Sequence, residues 1–333
     1  PLQEGYVLKA VDIDLSARTM LISLLKDGNV VDPGTPLNAG QTYVYAPSRV
    51  GAVSDLPIIM IRFDSVFSGT EVQAAFLKGV FQISSNPTTI KTGNVYNDMK
   101  VTNVGQDKIE MSNNNDVSLD RGKTENLMGN MNILVADNDT LRFALSNEQT
   151  GVFEVRSSVY RGNDANPIDT WTPYNFGMNI GTTSIGFYYD LDSGLGNESL
   201  RLVTPLNGSR TISEQNLDYT TTPQDVSFGY SGFGSYQVIG FMADKYFAGY
   251  TSNTIIANAQ PSTTFAGKSA LAQGQLHKVL MDDDLKHTIS VGSTLPLQEG
   301  YVLKAVDIDL SARTMLISLL KDGNVVDPGT PLN

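Results

Sequence analysis

Residues 1–38 and residues 296–333 have the same sequence, so a segment of 38 residues recurs after an interval of 295. A repeat this long indicates a tandem array, and its period constrains the architecture before any local pattern is considered. The chain reads as one full period followed by the first part of the next. A recent natural duplication or an added extension would each produce identical copies, and both mark a junction between units. An array of large identical modules is typical of proteins that build an extended surface.

Apolar and polar residues alternate along much of the chain, for example in 141–145 and 226–230. Such period-two runs, bounded by Asn, Asp, Gly and Pro, predict half-buried β-strands. The segments 19–25 and 57–61 are almost continuously apolar and predict strands that are buried on both faces. The pair Asp27-Gly28 predicts a two-residue hairpin, because both residues tolerate the positive φ of a type I′ turn.

These patterns predict an all-β fold with few or no helices, in which antiparallel sheets pack face to face as tandem β-sandwich lobes. The best helix candidate, 269–280, is interrupted by Gly274. Polar stretches near residues 150 and 267 predict two lobe boundaries. The predicted divisions are therefore 1–150, 151–267 and 268–333, with the last division ending in the repeated segment.

The chain is acidic, with a formal net charge of −12, and no part of it concentrates lysine or arginine. Because phosphate binding needs such clusters, we expect no contact with nucleic acid. The chain contains no cysteine, which excludes disulfides and thiolate metal sites. It has neither a signal peptide nor an apolar run near the ~18 residues of a membrane span, so we expect no membrane contact by this fragment.

The two histidines, His277 and His287, are too far apart in sequence for an H-x-x-x-H metal pair, and the chain has no G-x-S-x-G nucleophile turn. We therefore predict no catalytic residue, no cofactor-binding residue, no metal ligand and no enzyme activity.

Carboxylates recur in close groups, at Asp12/Asp14, Asp137/Asp139, Asp190/Asp192 and Asp282-Asp283-Asp284. Residues i and i+2 of a strand share a face, so solvated acidic stripes are the favoured interpretation. A structural Ca²⁺ site is the alternative, and a glycosidase acid pair is a remote one.

Three Asn-x-Ser/Thr sequons, at Asn138, Asn197 and Asn207, predict N-glycosylation sites on exposed loops if the protein is exported. Aromatic residues concentrate between Trp171 and Tyr250. Core packing is the favoured role for them, and a carbohydrate-binding platform is the alternative.

Three motifs in the repeated segment carry a family resemblance: Leu2-x-Glu4-Gly5-Tyr6-x-Leu8, Asp12-Ile13-Asp14, and Leu24-Leu25-Lys26-Asp27-Gly28-x-Val30-Val31-Asp32. Together they resemble the S-layer duplication domain of methanogenic archaea, of the Methanosarcina type. Further markers lie at 57–59, 66–71, 80–84, 136–143, 155–160 and 186–190. The resemblance therefore covers nearly the whole chain.

The resemblance implies a mature surface-layer subunit built from tandem domains, each with two β-sandwich lobes. It makes 1–150 the second lobe of one unit, 151–267 the first lobe of the next, and 268–333 the start of the following second lobe. It also implies an extracellular location and self-association of identical subunits into a porous two-dimensional lattice. Family members carry a membrane anchor, so an anchor is expected elsewhere in the full-length protein. A cell-surface adhesin or glycan-binding module is the alternative function.

Overall fold

The structure is a computed structural model. It describes residues 2–14, 16–68, 73–147, 159–161, 173–174, 198–204, 206, 208–256, 258–260, 262–263, 265–290, 294–296, 301–309, 314–321 and 323–327.

Nearly all regular structure in the described residues is β, which confirms the predicted all-β class. The strands are β1 Tyr6–Asp14, β2 Thr19–Lys26, β3 Asn29–Asn38, β4 Thr42–Tyr45, β5 Ile59–Ser68, β6 Gln73–Ile83, β7 Thr88–Thr89, β8 Val95–Tyr96, β9 Met99–Val104, β10 Ile109–Asn113, β11 Val117–Ser118, β12 Thr124–Met128, β13 Met131–Val135, β14 Arg142–Asn147, β15 Val159–Arg161, β16 Pro173–Tyr174, β17 Glu198–Leu202, β18 Thr211–Ile212, β19 Leu217–Thr221, β20 Gln224–Ser227, β21 Ser235–Phe241, β22 Asp244–Tyr250, β23 Ala259–Gln260, β24 Gln275–Ser290, β25 Thr294–Pro296, β26 Tyr301–Asp309, β27 Thr314–Lys321 and β28 Asn324–Asp327.

The helix candidate at 269–280 forms only a short 3₁₀ helix, Leu271–Gln273, before the chain enters β24. Gly274 follows that helix with a left-handed backbone (φ 63°), which ends it. A second 3₁₀ helix spans Ser231–Phe233. This agrees with the prediction of few or no helices, because the apolar residues after Gly274 belong to a strand.

The strands of the described residues form six sheets. The largest has nine strands, in the order β20-β21-β22-β24-β6-β5-β4-β23, with β7 paired to β24. The two five-stranded sheets have the orders β17-β19-β10-β9-β8 and β12-β13-β14-β15-β16. The remaining sheets are β1-β2-β3, β11-β18 and β25-β26-β27-β28. Most neighbours are antiparallel, as in β5-β6 and β6-β24, whereas β23 lies parallel to β4.

Buried apolar side chains form two clusters. Core 1 draws on residues 2–83 and on 226–281. Core 2 draws on residues 90–145 and on 200–276. Each core therefore combines residues from both sides of residue 150. The lobe boundaries near 150 and 267 stay predictions, since residues 148–158 lie outside the described residues.

The β21-β22 hairpin contributes to both cores. Along β21, Tyr236 and Val238 face core 1, whereas Ile239 and Phe241 face core 2. This division follows from the strand period of two, which sends alternate side chains to opposite faces. One hairpin thereby joins the two cores.

Where both copies of the repeated segment are described, their strands pair alike. In the first copy Tyr6 pairs with Lys26, and a bulge lies between Ala10 and Asp12. In the second copy Tyr301 pairs with Lys321, and the bulge falls between Ala305 and Asp307. Strand β25, of which only Pro296 belongs to the second copy, pairs with β26. Strand β1 packs beside β26 and β27.

The predicted hairpin at Asp27-Gly28 is confirmed. Lys26 pairs with Asn29, so the loop between β2 and β3 has two residues. Asp27 (φ 48°) and Gly28 (φ 82°) both have the positive φ that a type I′ turn requires. The preceding segment, 19–25, forms a strand with Met20, Ile22, Leu24 and Leu25 at most 1% exposed.

Candidate assembly interface

The short segment before β1 fixes the first copy to the large sheet. The Gln3 backbone N–H donates to Gln82 Oε1 at 2.5 Å, and Gln82 Nε2 donates back to the Gln3 carbonyl at 2.7 Å. The Gln3 side-chain amide donates to the Leu280 carbonyl of β24 at 2.8 Å. Because Gln82 is fully buried, its amide needs these partners in place of water.

Glu4 makes the second set of contacts. Its carboxylate accepts hydrogen bonds from the Ser84 hydroxyl, and from the backbone N–H and the hydroxyl of Ser85 at 2.5 and 3.0 Å. Bonds to an ionised acceptor are stronger than those between neutral groups. Glu4 has a left-handed backbone (φ 55°), which is uncommon for a residue other than glycine. We call Gln82, Ser84, Ser85 and Leu280 the docking seat.

Lys26, the last residue of β2, contacts residues at the beginning of the first copy. Its ammonium group donates to the Glu4 carbonyl and lies 3.4 Å from Asp27 Oδ2. The same group lies 4.6 Å from the centroid of the Tyr6 ring, a cation–π arrangement. These contacts link the hairpin tip to the residues that occupy the docking seat.

A buried histidine lies directly behind the docking seat. His277 is fully buried, and its Nδ1 donates to the Ser84 carbonyl at 2.7 Å. Its Nε2 has no hydrogen-bond partner. Burial lowers the pKa of His277, which favours the neutral ring. His277, for which the sequence showed no catalytic spacing, therefore lies in the protein interior and donates a hydrogen bond to the backbone.

The predicted acidic groups are separate from one another. Asp14 caps a turn by accepting from the N–H groups of Ser16 and Ala17 at 2.8 and 2.9 Å. Asp137 and Asp139 both contact Arg121. Asp190 and Asp192 lie outside the described residues. Among the residues that are described, no group of three or more His, Asp and Glu side chains has metal-binding geometry.

The acidic run on β24 divides by environment. Asp282 accepts hydrogen bonds from the Gly229 N–H at 2.7 Å and from the Tyr236 hydroxyl at 2.9 Å. Burial raises the pKa of the Asp282 carboxyl. Asp283 lies 3.4 Å from His287, and Asp284 lies 3.5 Å from Lys78. The three carboxylates therefore make separate local contacts, with β24 itself and with the segments packed against it.

Of the three sequons, the structure describes one asparagine. Asn138 is exposed, and its Oδ1 accepts from the Thr140 N–H at 2.9 Å in an Asx turn before β14. Asn197 and Asn207 lie outside the described residues. Glu198, which follows Asn197, is fully buried in β17.

Most of the described aromatic residues of this cluster are buried in the core, and Tyr230 is partly buried against it. Phe228, Phe233, Tyr236, Phe241, Tyr246, Phe247 and Tyr250 are all at most 7% exposed. Most of their ring pairs are edge-to-face or tilted, as in Phe81–Phe228 and Phe247–Tyr250, whose centroids are 4.8 Å apart, and the Tyr236–Phe247 pair is stacked. The core-packing interpretation is confirmed for these residues. Trp171 lies outside the described residues.

Sequence reasoning missed Gln3 and Gln82 as partners, because 79 residues separate them and no local pattern links the two motifs in which they lie. It also missed the burial of Glu198, since the surrounding sequon indicated an exposed loop. Within the described residues, no helix combines the length and hydropathy that crossing a membrane would require.

A family model described as "S-layer protein" matches residues 1–137 and 161–330. The chain is 29% identical over 336 residues to the Major S-layer protein of Methanosarcina barkeri, strain Fusaro, covering 97% of this chain and 45% of that relative. It is 27% identical over 337 residues to the Major S-layer protein of Methanosarcina mazei, covering 98% of this chain and 45% of the relative.

The Major S-layer protein of Methanosarcina acetivorans is 27% identical over 340 residues, covering 98% of this chain and 46% of the relative. The chain thus spans less than half the length of these curated relatives. No solved structure matches the chain. Because the family model matches most of its residues, the chain belongs to the S-layer protein family.

Proposed function

We propose that the chain is a structural subunit of an extracellular surface layer and assembles with identical subunits into a porous two-dimensional lattice. One observation carries the proposal: the same 38-residue segment occurs twice. The strands of the first copy contribute to core 1, and the described strands of the second copy belong to a separate four-stranded sheet. A module that presents the same element at two places suits tiling. Membership of the S-layer family and the names of the relatives support this function.

The lattice has an acidic, sieve-like character in this proposal. A net charge of −12 repels anions and favours solubility of the free subunit. The role is non-catalytic and needs no cofactor. Support comes from the buried His277, whose Nδ1 is engaged by a backbone carbonyl, and from the aromatic residues that are used in core packing.

Electron microscopy of the purified full-length protein tests assembly directly. Ordered sheets with pores are expected across a series of salt and divalent-ion concentrations. Dispersed monomers under every condition would contradict the proposal. Adding a chelator to preformed sheets separates a Ca²⁺-dependent lattice, which would dissolve, from one that depends on protein contacts alone.

We propose in addition that Asn138 carries an N-linked glycan. Its exposure and the turn that presents it support this assignment. Mass spectrometry of the native protein should find a modified peptide that is lost in Asn138→Gln. The same experiment with Asn197→Gln and Asn207→Gln tests the other two predicted sites. An unmodified Asn138 peptide from the native source would contradict the assignment.

A further inference from the structure

We propose that a row of three basic residues, Arg62, Lys78 and Lys286, binds exposed carboxylates of a second copy of this chain. We call these three residues the basic row. The inference rests on the proposed self-assembly and names one surface that holds neighbouring subunits together. It follows from the register of three adjacent strands, from the shortage of counter-charges beside the row, and from the acidity of the whole chain.

The basic row crosses three adjacent strands of the nine-stranded sheet. Arg62 of β5 pairs with Lys78 of β6, and Lys78 pairs with Lys286 of β24. Directly opposite residues of an antiparallel pair share a face, and their Cβ atoms are about 4.5–5.5 Å apart. Three positive charges therefore start from one face of the sheet within roughly 10 Å. No stretch of sequence shows this cluster, because its members come from distant segments.

Irregular strand pairing aligns the basic row. Gly79 is an extra residue of β6 next to Lys78, and its backbone is left-handed (φ 68°). Asp284 and Leu285 interrupt β24 at the same level, opposite Gly79. A Cβ atom at Gly79 would lie 2.5 Å from Cβ and Cγ of Tyr230, so a side chain does not fit there. The bulge is thus built into the sheet, and it fixes which residues face each other.

Only one cation of the basic row lies within ion-pair distance of a carboxylate, as far as the described residues show. Lys78 Nζ is 3.5 Å from Asp284 Oδ1, and 41% and 47% of the two side chains are exposed. The exposed Asp64 carboxylate accepts a hydrogen bond from the Ser65 hydroxyl at 2.9 Å instead. Like charges directly opposite each other destabilise a sheet. An anionic partner would therefore relieve a cost that the free subunit carries.

Uncharged groups position the other two cations. Arg62 Nη1 donates to the Thr42 hydroxyl at 3.4 Å. Lys286 Nζ lies 3.6 Å from the centroid of the Phe76 ring, a cation–π arrangement. A guanidinium has five N–H donors and an ammonium has three, so these contacts leave donors for a carboxylate. Lys286 is exposed and Arg62 is half-buried, which places both at the surface.

The acidity of the chain identifies the partner. The chain has 35 acidic and 23 basic residues, giving a formal net charge of −12. Identical subunits of this charge repel one another when they pack closely, so a favourable contact must bring local cations against carboxylates. In a layer of identical subunits, the neighbouring subunit is the nearest source of carboxylates. The two sides of such a contact are different surfaces, so it joins subunits head to tail and can continue through an array.

Charge reversal in the full chain tests the contact. Lys286→Glu should lower the association constant about tenfold at low salt, because it places like charges against each other. Lys286→Gln removes the charge without adding repulsion and should cause a smaller loss. Lys100→Glu is the matched control, since Lys100 is an exposed strand lysine of β9 and the change in net charge is the same. Sedimentation velocity over a concentration series measures all four proteins, and equal losses in Lys286→Glu and Lys100→Glu overturn the proposal.

Salt dependence gives a second measurement on the same proteins. Raising the salt concentration from about 0.05 M to about 0.5 M screens exposed charges, so it should weaken association of the parent chain. Lys286→Glu should respond less than the parent, because its favourable charge contact is already lost. Association of the parent chain that does not change with salt overturns the proposal.

Carbodiimide cross-linking identifies the partner, because this reagent joins an amine directly to a carboxylate in contact with it. In a mixture of unlabelled and isotope-labelled chains, mass spectrometry should find cross-links between the two kinds of chain that contain Lys78 or Lys286. Mixed cross-links that contain neither lysine overturn the proposal. Polygalacturonate probes an anionic glycan as the alternative occupant. Binding of it that is lost in Lys286→Glu, without mixed cross-links through the row, also overturns the pairing of copies.

The outcomes separate this inference from the proposed function. Lattices of Lys286→Glu that form as readily as those of the parent chain overturn the contact and leave the surface-layer function intact. Loss of lattices in Lys286→Glu, with lattices retained in Lys100→Glu, supports the contact. Soluble oligomers with mixed cross-links through the row, and no lattice under any condition, support the contact and count against the lattice.

Discussion

Two hairpins of this molecule turn with the same backbone geometry and opposite kinds of sequence. In the first, Asp27 and Gly28 have φ values of 48° and 82°. In the second, which joins β21 to β22, Met242 and Ala243 have φ values of 51° and 66°. Phe241 pairs with Asp244 across it, so this loop also has two residues. Only the Asp-Gly turn has residues that favour this geometry.

The second turn is stabilised from outside. Glu198 and Tyr219 are fully buried beside it, and the Tyr219 hydroxyl donates to Glu198 Oε1 at 2.5 Å. The Ala243 N–H donates to the same carboxyl oxygen at 3.1 Å. Left-handed backbone costs a residue with a side chain roughly 1–2 kcal/mol. Hydrogen bonding in core 2 offsets a strain that glycine relieves in the first hairpin.

The two turns also differ because the second one lies beside a buried tyrosine, Tyr219. Burial, followed by the nearby Glu198 carboxyl, raises the pKa of Tyr219 well above its ordinary value. The phenol therefore stays protonated and donates to the carboxyl. The first turn has no such buried acid: Asp27 lies at the surface, and its N–H donates to the Gly5 carbonyl at 2.9 Å.

The largest effect is expected from removing the buried acid. Glu198→Ala leaves the Tyr219 hydroxyl and the Ala243 N–H without their acceptor, which should lower the unfolding free energy by about 3 kcal/mol. Glu198→Gln keeps an acceptor oxygen and should cost less than half as much. Chemical denaturation of the full chain measures both. A loss below about 1 kcal/mol in Glu198→Ala would show that the second turn needs no buried support.

The next effect is expected at the first turn. Gly28→Ala places a side chain at a φ of 82° and should destabilise the protein by about 1 kcal/mol. The matched control is Gly323→Ala in the second copy, where φ is also 82°. That change should leave the unfolding of core 1 nearly unaffected. Equal losses in both variants would mean that the unfolding of core 1 depends on the second hairpin as much as on the first.

A smaller effect of opposite sign is expected from Ala243→Gly. Glycine relieves the left-handed strain and also increases the entropy of the unfolded chain, so the net gain should be about 0.5 kcal/mol. Thermal unfolding can resolve such a gain against the parent chain. A clear loss of stability would indicate that packing of the Ala243 methyl group outweighs the backbone strain.

The smallest effect is expected from His277, a buried polar residue next to core 1. Because burial lowers its folded pKa below the ordinary 6.5, the folded state binds a proton less tightly than the unfolded state. The contribution to stability is therefore complete above about pH 6.5 and is lost as the pH falls through the folded value. His277→Asn can still donate to the Ser84 carbonyl and should flatten the profile of unfolding free energy between pH 5 and pH 7. An unchanged profile would place the titrating group elsewhere.

Local sequence predicted the parts of the fold whose cause is local. The segment 19–25 is almost continuously apolar, and residues on both faces of its strand are buried. Asp27 and Gly28 suit their turn because both tolerate a positive φ. Neighbouring residues were therefore sufficient to predict both the strand and the turn. The exposure of Asn138 is likewise a property of a short polar loop.

The candidate interface could be predicted only in part. Glu4 and Tyr6 belong to the family motif, but the partners of Gln3 and Glu4 lie about 80 residues along the chain. No periodicity links positions that far apart. The same holds for Glu198, which looked like part of an exposed sequon and is buried because β17 pairs with β19.

The sequence by itself determined the β class, the repeat and the first hairpin. The alternation of apolar residues and the Asp-Gly pair act over a few residues, and the repeat is visible directly as sequence identity. Tertiary structure decided that the chain folds around two cores joined by one hairpin, that Met242 and Ala243 turn against their preference, and that one copy of the repeat occupies the docking seat. These outcomes depend on which buried donors and acceptors meet across long sequence distances, and hydrogen bonding inside a core can outweigh a local preference of 1–2 kcal/mol.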